Sequence, residues 1–476
     1  MSSNIENTQL KLTDGRVITF NDDQQEGLEK IREWLKSNKQ FFTLAGYAGT
    51  GKSTIIKKII DEYSGLLVVS APTHKAKKVI MRTTGQDGQT LHSLLGLRPD
   101  VNLDDFNPND PKYNPLAQPR IQDYNLVIID EASMINKELY DLIKDTIKGW
   151  KSVKVLFMGD PAQIPPIGEK ESIVFDGTIE DKHELTKIMR QEDGNPLFEV
   201  FDLLRNNLKN STGGFKRETK INSKGEGIFF TNNKKEFREK LTEIFNSVEF
   251  KKDIDYAKII AWRNNTVMQA NKLMREIMYG KDAHFLEVGD ILMAYRSIRA
   301  KQQYINIIDN SVDYRVKKVS KRMQNDYDLW GYKINIEELL GNGKYVNRNI
   351  FIVDHTDHDN LHDYAEIHDG LKTIAKANKK EWKKYYAFRR ESMIMTTIRE
   401  FRDGNSRLSG EVIAKDFDYG YAITCHKAQG STYKHVFILE DDMSVNPKIK
   451  EMNQIKYVAL TRPTTTATVL TNLNIN

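Results

Sequence analysis

The chain has 476 residues, with 71 Lys and Arg against 66 Asp and Glu, and a single cysteine, Cys425. This length suits about three domains, the slight positive excess permits a polyanionic partner without requiring one, and one cysteine excludes a disulfide framework. No apolar run approaches the length of a membrane span, and the N-terminus lacks a signal-peptide core. We therefore expect a cytoplasmic protein that does not contact membranes.

The predicted elements of the first part of the chain begin with a small hairpin, LKLTDGRVITF, which turns at Asp14 and Gly15. The next segment, NDDQQEGLEKIREWLKSN, predicts a helix capped by Asn21 or Asp22. Four apolar strands then alternate with helical patterns up to about residue 190: FFTLA, LLVVSA, NLVIID and VKVLFMGD. Short, continuously apolar strands between helices indicate a parallel α/β sheet covered on both faces, with its chemistry at the carboxyl ends of the strands.

Two segments interrupt this alternation. Residues 97–122 carry five prolines and little periodicity, which indicates an inserted surface loop or small hairpin. Residues 291–415 mix strand-like stretches with a long charged helical stretch, which predicts an accessory subdomain inserted into a second α/β domain. The predicted units are an N-terminal hairpin extension, a first α/β domain, a second α/β domain in two pieces, and the accessory subdomain: 1–20, 21–190, 191–290 with 416–476, and 291–415.

The segment GYAGTGKST fits the phosphate-binding pattern G-x-x-x-x-G-K-[ST] between a predicted strand and a predicted helix. Glycines let the backbone N–H groups turn toward an anion, and the helix presents its positive end to the phosphates. Lys52 would reach the β- and γ-phosphates of ATP, and Ser53 would hold Mg²⁺. The predicted nucleotide-binding residues are Gly46, Ala48, Gly49, Thr50, Gly51, Lys52, Ser53 and Thr54.

An acidic pair ends the third apolar strand, in VIIDEAS. Buried carboxylates are costly unless they meet cations, and a metal–nucleotide site supplies them. Asp130 is placed to hold Mg²⁺ and Glu131 to orient or deprotonate the attacking water. Together with the phosphate loop, this pair predicts ATP hydrolysis.

Three further side chains complete the predicted catalytic set. Gln163 follows the fourth strand in MGDPAQIPPI and could hydrogen-bond both a γ-phosphate oxygen and a water. Arg190, in ELTKIMRQ, and Arg462, in YVALTRP, could bridge phosphate oxygens as charge develops in the transition state. If both arginines reach the site from the second domain, domain closure and ATP hydrolysis become one event.

Eight segments occur in the order of superfamily 1 helicase motifs. The set resembles the RecD-like branch of that superfamily, and in particular the small Dda-type helicases of tailed phages. The segments are GYAGTGKST, APTHKAKK, TLHSLL, VIIDEAS, GDPAQIPPI, ELTKIMRQ, AITCHKAQGST and YVALTRP.

The resemblance implies a motor of two RecA-like domains, with ATP in the cleft between them and single-stranded DNA running across both in the 5′ to 3′ direction. It also implies that Gln24 reads adenine, with Gln25 as the competing register, and that Gln429 and Gly430 face the nucleotide. We expect a monomer that binds single-stranded and forked duplex DNA, with replication or recombination proteins as candidate partners. If the chain is viral, its compartment would be the host cytoplasm.

Three motifs supply the predicted DNA contacts. Hydroxyl, imidazole and ammonium groups that follow parallel strands can grip phosphates without reading sequence. Each histidine on its own could equally be a structural residue. The predicted contact residues are Pro72, Thr73, His74, Lys75, Thr90, His92, Thr424, His426 and Lys427.

The inserted loop after TLHSLL stands where relatives carry a pin that splits the duplex. Phe106 and Tyr113 are its aromatic residues available to stack on the last base pair, although loop aromatics usually pack on their own domain. The charged stretch at 376–390 interleaves basic residues with aromatics, which suits single-strand contact, docking on the pin, or simply a solvated helical face. We expect Cys425 to be a packed strand residue.

The leading hypothesis is an ATP-dependent DNA helicase. One alternative is a single-stranded-DNA-stimulated translocase that remodels nucleoprotein complexes without separating strands well. Another is a P-loop ATPase switch that follows no nucleic acid track, whose ATP hydrolysis would be indifferent to single-stranded DNA.

Overall fold

The computed structural model describes residues 9–11, 17–97, 117–187, 194–210, 216–300, 306–340, 344–398 and 412–473. Near the N-terminus, β1 (Gln9–Lys11) pairs antiparallel with β2 (Val17–Thr19). The predicted turn between them lies outside the described residues. Helix α1 (Asp22–Lys36) follows, and it begins with a capping box in which Asn21 and Gln24 each bind the other's backbone N–H. Asn21 is therefore the cap.

The first lobe is built on six parallel strands, β3 to β8, in the order β5-β4-β6-β7-β3-β8. Helices cover both faces of this sheet, and its four inner strands are almost wholly buried, as the continuous apolar runs predict, whereas the edge strand β8 alternates exposed and buried residues. The strands are β3 (Phe41–Gly46), β4 (Leu67–Ala71), β5 (Gly88–Thr90), β6 (Leu126–Ile129), β7 (Lys154–Gly159) and β8 (Lys182–Leu185). The helices are α2 (Lys52–Glu62), α3 (His74–Thr84), α4 (Leu91–Leu94) and α5 (Lys137–Thr146).

The second lobe begins after this sheet. Its first strands are β9 (Lys220–Ile221), β10 (Gly227–Thr231) and β11 (Ala257–Ala261). Its first helices are α6 (Leu197–Asn210), α7 (Lys234–Phe245), α8 (Val248–Lys252) and α9 (Asn264–Tyr279).

An accessory unit interrupts the second lobe. Its main sheet is antiparallel, in the order β16-β17-β15-β12-β19 with β18 on β17, and a separate hairpin joins β13 to β14. The strands are β12 (Ile291–Ala294), β13 (Ile298–Arg299), β14 (Asn306–Ile308), β15 (Asp313–Val319), β16 (Met323–Gln324), β17 (Trp330–Leu339), β18 (Tyr345–Val353) and β19 (Phe417–Tyr419). The predicted division at residue 416 would assign β19 to the second motor domain, yet β19 pairs with β12 in the accessory sheet.

The charged stretch of the accessory unit forms two helices instead of one continuous helix, α10 (His358–Ala377) and α11 (Trp382–Glu391). Asn378 ends α10 in extended backbone, and its side chain accepts the N–H of Lys380 to start a short 3₁₀ turn. Trp382 and Tyr386 stack on each other at a ring-centroid separation of 5.6 Å. The aromatics of α11 thus pack together, and the roles predicted for this segment on DNA or on the pin stay predictions.

The chain then completes the second lobe with β20 (Ala422–Thr424), α12 (Cys425–Ala428), β21 (Tyr433–Leu439), α13 (Glu440–Ser444), α14 (Ile449–Leu460) and β22 (Pro463–Leu470). The finished sheet has the order β20-β11-β21-β22-β10-β9 and is parallel except for the β9–β10 pair. Two parallel sheets covered by helices confirm the predicted α/β class. Across the described ranges, none of the helices combines the length and the apolar character that crossing a bilayer requires.

Candidate nucleotide and nucleic-acid site

The phosphate loop connects β3 to α2 at the carboxyl edge of the first sheet. Gly49 and Gly51 both have φ of 85°, a left-handed backbone that favours glycine. A Cβ on Gly46 would lie 2.7 Å from Thr50 Oγ1, so the loop closes too tightly for any side chain there. The predicted glycines are therefore required by the loop's geometry.

Lys52 opens helix α2, and its Nζ donates to the carbonyl oxygens of Gly46 at 2.5 Å and Tyr47 at 3.0 Å. Ser53 and Thr54 follow in the first turn of the same helix. Gln24 Nε2 donates to the Thr50 carbonyl at 3.0 Å, whereas the neighbouring Gln25 donates to the Phe20 carbonyl. Of the two registers, Gln24 is the one that lies against the loop.

The acidic pair follows β6 at the same edge. Burial raises the pKa of Asp130, and the neighbouring Glu131 charge raises it further. Burial also raises the pKa of Glu131, opposed by the charges of Arg462 and Lys52. Glu131 has φ of 54°, an uncommon value for a residue with a side chain, and its buried Oε2 has no hydrogen-bond partner within the described part of the chain.

The second lobe reaches this acidic pair directly. Arg462 is 5% exposed and close enough to Glu131 to lower its pKa, while its guanidinium donates to the Val458 and Ser431 carbonyls and to Thr461 Oγ1. A Cβ on Gly430 would lie 2.7 Å from Ala76 Cβ and 3.3 Å from Glu131 Cγ. The predicted residues of both lobes therefore meet at one place.

The two glutamines predicted for the site lie within the contact between the lobes. Gln429 Nε2 donates to the Ile164 carbonyl at 3.0 Å, and the Gln163 carbonyl accepts from Gln454 Nε2 at 3.2 Å. The Gln163 side chain is buried and lowers the pKa of Glu131 through a hydrogen bond. Gln163 is thus placed between the general-base candidate and the second lobe.

Sequence reasoning missed Asp160 and Tyr457, which also join the lobes here. Tyr457 OH donates to Asp160 Oδ2 at 2.6 Å, and both residues are 1% exposed. Asp160 stands in the quoted segment GDPAQIPPI and Tyr457 in YVALTRP, so an acid after a strand and a tyrosine near an arginine were the available signals.

The DNA-contact motif after β4 makes contacts within the chain. Thr73 caps helix α3, and His74 Nδ1 lies 3.2 Å from Asp309 Oδ1 of the accessory unit. Lys75 Nζ donates to Asp313 Oδ2 at 3.0 Å and to Tyr433 OH at 2.6 Å. Burial lowers the pKa of Lys75, but Asp313, Tyr433 and Asp255 together outweigh it and the net pKa is raised. In this arrangement Lys75 is paired with the Asp313 carboxylate, so a phosphate would have to displace that carboxylate to bind Lys75.

The other predicted DNA contacts lie around this helix. Thr90 caps α4 and Thr424 caps α12, each through its hydroxyl, while His426 is exposed. His92 is hydrogen-bonded to the backbone of Pro72, which ties two of the motifs together, and burial lowers the pKa of this histidine. Lys427 Nζ lies 3.1 Å from the centroid of the Tyr295 ring, and burial lowers its pKa to about 7. Arg190, Phe106 and Tyr113 lie outside the described residues, so their roles stay predictions.

Two family models match this architecture. One, described as an AAA domain, matches residues 19–222, and one described as a UvrD-like helicase C-terminal domain matches residues 419–470. By these matches and by its relatives, the chain is similar to superfamily 1 helicases. The first match spans the phosphate loop and the acidic pair of this chain, and the second spans Gln429 and Arg462.

The chain is similar along nearly its whole length to the ATP-dependent DNA helicase dda of Enterobacteria phage T4, at 24% identity over 94% of this chain and 98% of the phage protein. It is 32% identical to the ATP-dependent RecD2 DNA helicase of Deinococcus radiodurans over 33% of this chain and 20% of that protein. The solved Pif1 helicase from Bacteroides, in complex with ADP-AlF3 and single-stranded DNA, aligns with TM-score 0.49 and 19% identity over 93% of this chain and 91% of that one.

Proposed function

We propose that this chain is an ATP-dependent DNA helicase that moves along single-stranded DNA and unwinds the duplex ahead of it. The observation that carries the proposal is the meeting of Lys52 and Glu131, from one lobe, with Arg462 from the other. A triphosphate held there contacts residues of both lobes at once. Its hydrolysis therefore changes how the lobes contact each other.

The residues of the site suit hydrolysis of a nucleoside triphosphate with a divalent cation. Burial raises the pKa values of Asp130 and Glu131, and the charges of Glu131 and Asp160, respectively, raise them further. Glu131 also carries an oxygen without a partner among the described residues. A cation relieves this strain, so the donor set fits Mg²⁺, with Ser53 and Asp130 as the residues that would hold it. When bound, Mg²⁺ neutralises phosphate charge. Lys52 then orients the phosphates, Glu131 orients the attacking water, and Arg462 stabilises the charge that develops.

The same geometry supports a proposed connection between the nucleotide site and DNA. Gly430 packs at once against Glu131, in the nucleotide site, and against Ala76, in the helix that carries His74 and Lys75. A shift of the second lobe therefore moves both sites together. The phage T4 relative carries the name of a DNA helicase, and we propose by this likeness that single-stranded and forked duplex DNA are the ligands and that movement is 5′ to 3′.

The proposal also covers the oligomeric state, the compartment, the partners and the adenine recognition of this chain. We propose that it acts as a monomer in the cytoplasm, with replication or recombination proteins as partners. Gln24 is our candidate for adenine recognition, because its side chain is fixed against the phosphate loop.

Strand displacement on partial duplexes with either a 5′ or a 3′ single-stranded tail tests the function. We expect ATP-dependent release of the displaced strand from the 5′-tailed substrate only. Release from the 3′-tailed substrate alone would reverse the polarity. ATP hydrolysis stimulated by DNA, with no release from either substrate, would favour a translocase that remodels nucleoprotein complexes.

A further inference from the structure

The hydroxyl of Tyr457 crosses from the second lobe to the phosphate loop. It belongs to helix α14, yet it accepts the backbone N–H of Ala48 at 3.2 Å and donates to Asp160 Oδ2 at 2.6 Å. Both contacts are inside the protein, since Tyr457 is 1% exposed. One hydroxyl from the second lobe therefore binds two groups at the edge of the nucleotide site.

Asp160 completes a closed set of hydrogen bonds. Its Oδ2 also accepts the N–H of Ala48 at 3.1 Å, and its Oδ1 accepts the N–H of Ala162 at 2.9 Å. Backbone N–H groups of a phosphate loop are its anion ligands. The Ala48 N–H is shared here between two oxygens, so a phosphate that takes this N–H must compete with Tyr457 and Asp160.

A second contact at the adjacent residue holds the loop against the same lobe. The Tyr47 ring packs in one apolar cluster with Ile164 and Tyr457. The Arg205 guanidinium, on helix α6, lies 4.7 Å from the centroid of the Tyr47 ring. Two successive loop residues are thus fixed to the second lobe, one by its backbone and one by its ring.

Tyr457 is also joined to Arg462 through the end of α14. The Tyr457 carbonyl accepts from the N–H of Thr461 at 3.0 Å and from its hydroxyl at 2.9 Å. Arg462 Nη2 in turn donates to Thr461 Oγ1 at 2.9 Å. A displacement of Tyr457 is therefore transmitted to the guanidinium beside Glu131.

We propose that Tyr457 is a positioning residue that couples the phosphate loop to the second lobe, by exchanging its hydrogen bonds to Ala48 and Asp160 when a triphosphate occupies the loop. This inference rests on the proposed function. It makes Tyr457 the link through which ATP binding changes the affinity for single-stranded DNA.

The test compares the dissociation constant of a labelled oligodeoxythymidine with and without a non-hydrolysable ATP analogue. The ratio of the two constants measures the coupling, on the order of 5- to 150-fold for typical linked sites. Tyr457→Phe is expected to cut the ratio about tenfold, as loss of a hydrogen bond to a charged group does, while DNA affinity without the analogue stays within about twofold. A purely structural role would lower the melting temperature and leave the ratio unchanged.

Tyr421→Phe is the matched control. Tyr421 is also a 1%-exposed tyrosine of the second lobe whose hydroxyl donates to a buried carboxylate, Asp290, at 3.0 Å, and its removal should leave the ratio at the wild-type value. If Tyr457→Phe fails to fold, Asp160→Asn tests the same link and should cut the ratio similarly. Wild-type coupling in Tyr457→Phe, or an equal loss in Tyr421→Phe, overturns the inference alone. A wild-type protein whose ATP hydrolysis ignores DNA overturns the proposed function and this inference with it.

Discussion

The first lobe is held to the rest of the chain in two regions of different chemistry. Around the nucleotide site, the contacts are hydrogen bonds to backbone groups and to one carboxylate, as in the Tyr457–Asp160 pair and the Gln429–Ile164 contact. Along helix α3, the contacts are ion pairs to the accessory unit: His74 with Asp309, Lys75 with Asp313 and Lys78 with Glu338.

Because the two regions are held by different kinds of contact, they respond to different ligands, the nucleotide and DNA. Hydrogen bonds at fixed angles respond to small shifts of the loop and depend little on ionic strength. Ion pairs between lysines and carboxylates are the contacts with which a DNA phosphate competes, and those that reach solvent weaken as salt is added. The nucleotide region is therefore suited to report the state of the triphosphate, and the α3 region to exchange a carboxylate for a phosphate.

The largest effect is expected from breaking the nucleotide region alone. Lys52→Ala removes the ammonium that binds the loop carbonyls and should lower ATP turnover to less than about one-hundredth of the wild-type rate. DNA affinity without nucleotide should stay within about twofold. Lys57→Ala, on the same helix and paired with exposed Asp61, should keep normal turnover. Steady-state ATP hydrolysis and fluorescence anisotropy measure the two quantities, and normal turnover in Lys52→Ala would refute the site assignment.

A smaller but still large effect is expected from breaking the ion pairs of the α3 region. Asp313 faces Lys75 and Lys258, each at 3.0 Å, and its side chain is 2% exposed. Asp313→Asn removes the carboxylate that pairs with both ammonium groups and leaves them the weaker attraction of Asp255, which should lower the free energy of unfolding by about 3–5 kcal/mol. Urea denaturation measures this loss. The control Asp123→Asn removes an exposed pair with Arg120 and should change stability by less than about 0.5 kcal/mol. Equal stability of the two variants would show that the buried cluster contributes nothing.

A smaller effect is expected on DNA affinity when the pH is changed, and it tests the contacts near Lys427. Burial, reinforced by the charge of Lys415, lowers the pKa of Lys427 to about 7. A phosphate beside Lys427 would raise that pKa again, so binding takes up a proton above pH 7 and affinity falls as the pH rises, by at most about tenfold per pH unit. The stability of the fold has the opposite pH dependence. Between pH 7 and the ordinary lysine pKa of 10.5, the unfolded chain binds more protons than the folded chain, so stability rises with pH.

The Lys427→Arg variant is the control for this pH effect. Arginine stays charged throughout this range, so the affinity of the variant should not follow the wild-type slope. Anisotropy titrations between pH 6.5 and 8.5 at constant ionic strength, a range set by the lowered pKa, compare the two proteins. Identical slopes in both would place Lys427 away from the DNA.

Local sequence signals were sufficient for much of the fold and for the geometry of the phosphate loop. The apolar runs predicted the central strands to within one or two residues, since a buried parallel strand needs little more than its own composition. The glycines of the phosphate loop are explained by backbone angles that only their immediate neighbours determine.

What the sequence did not reveal depends on contacts between distant residues. Lys75 and Asp313 are separated by 238 positions and Asp160 and Tyr457 by 297, so no periodicity could pair them. Cys425 was expected in a strand, but it opens helix α12 because Thr424 turns the chain there by capping with its hydroxyl. The break at Asn378 likewise depends on a side chain that competes with the helix for a backbone N–H.

The measurement that tests the account most directly is the rate of ATP hydrolysis by the purified chain as single-stranded DNA is added. If one triphosphate contacts two lobes that also bind DNA, the rate of ATP hydrolysis should rise by about tenfold or more and reach a plateau as DNA is added. A rate that is the same with and without DNA, from a protein that hydrolyses ATP normally, would contradict it.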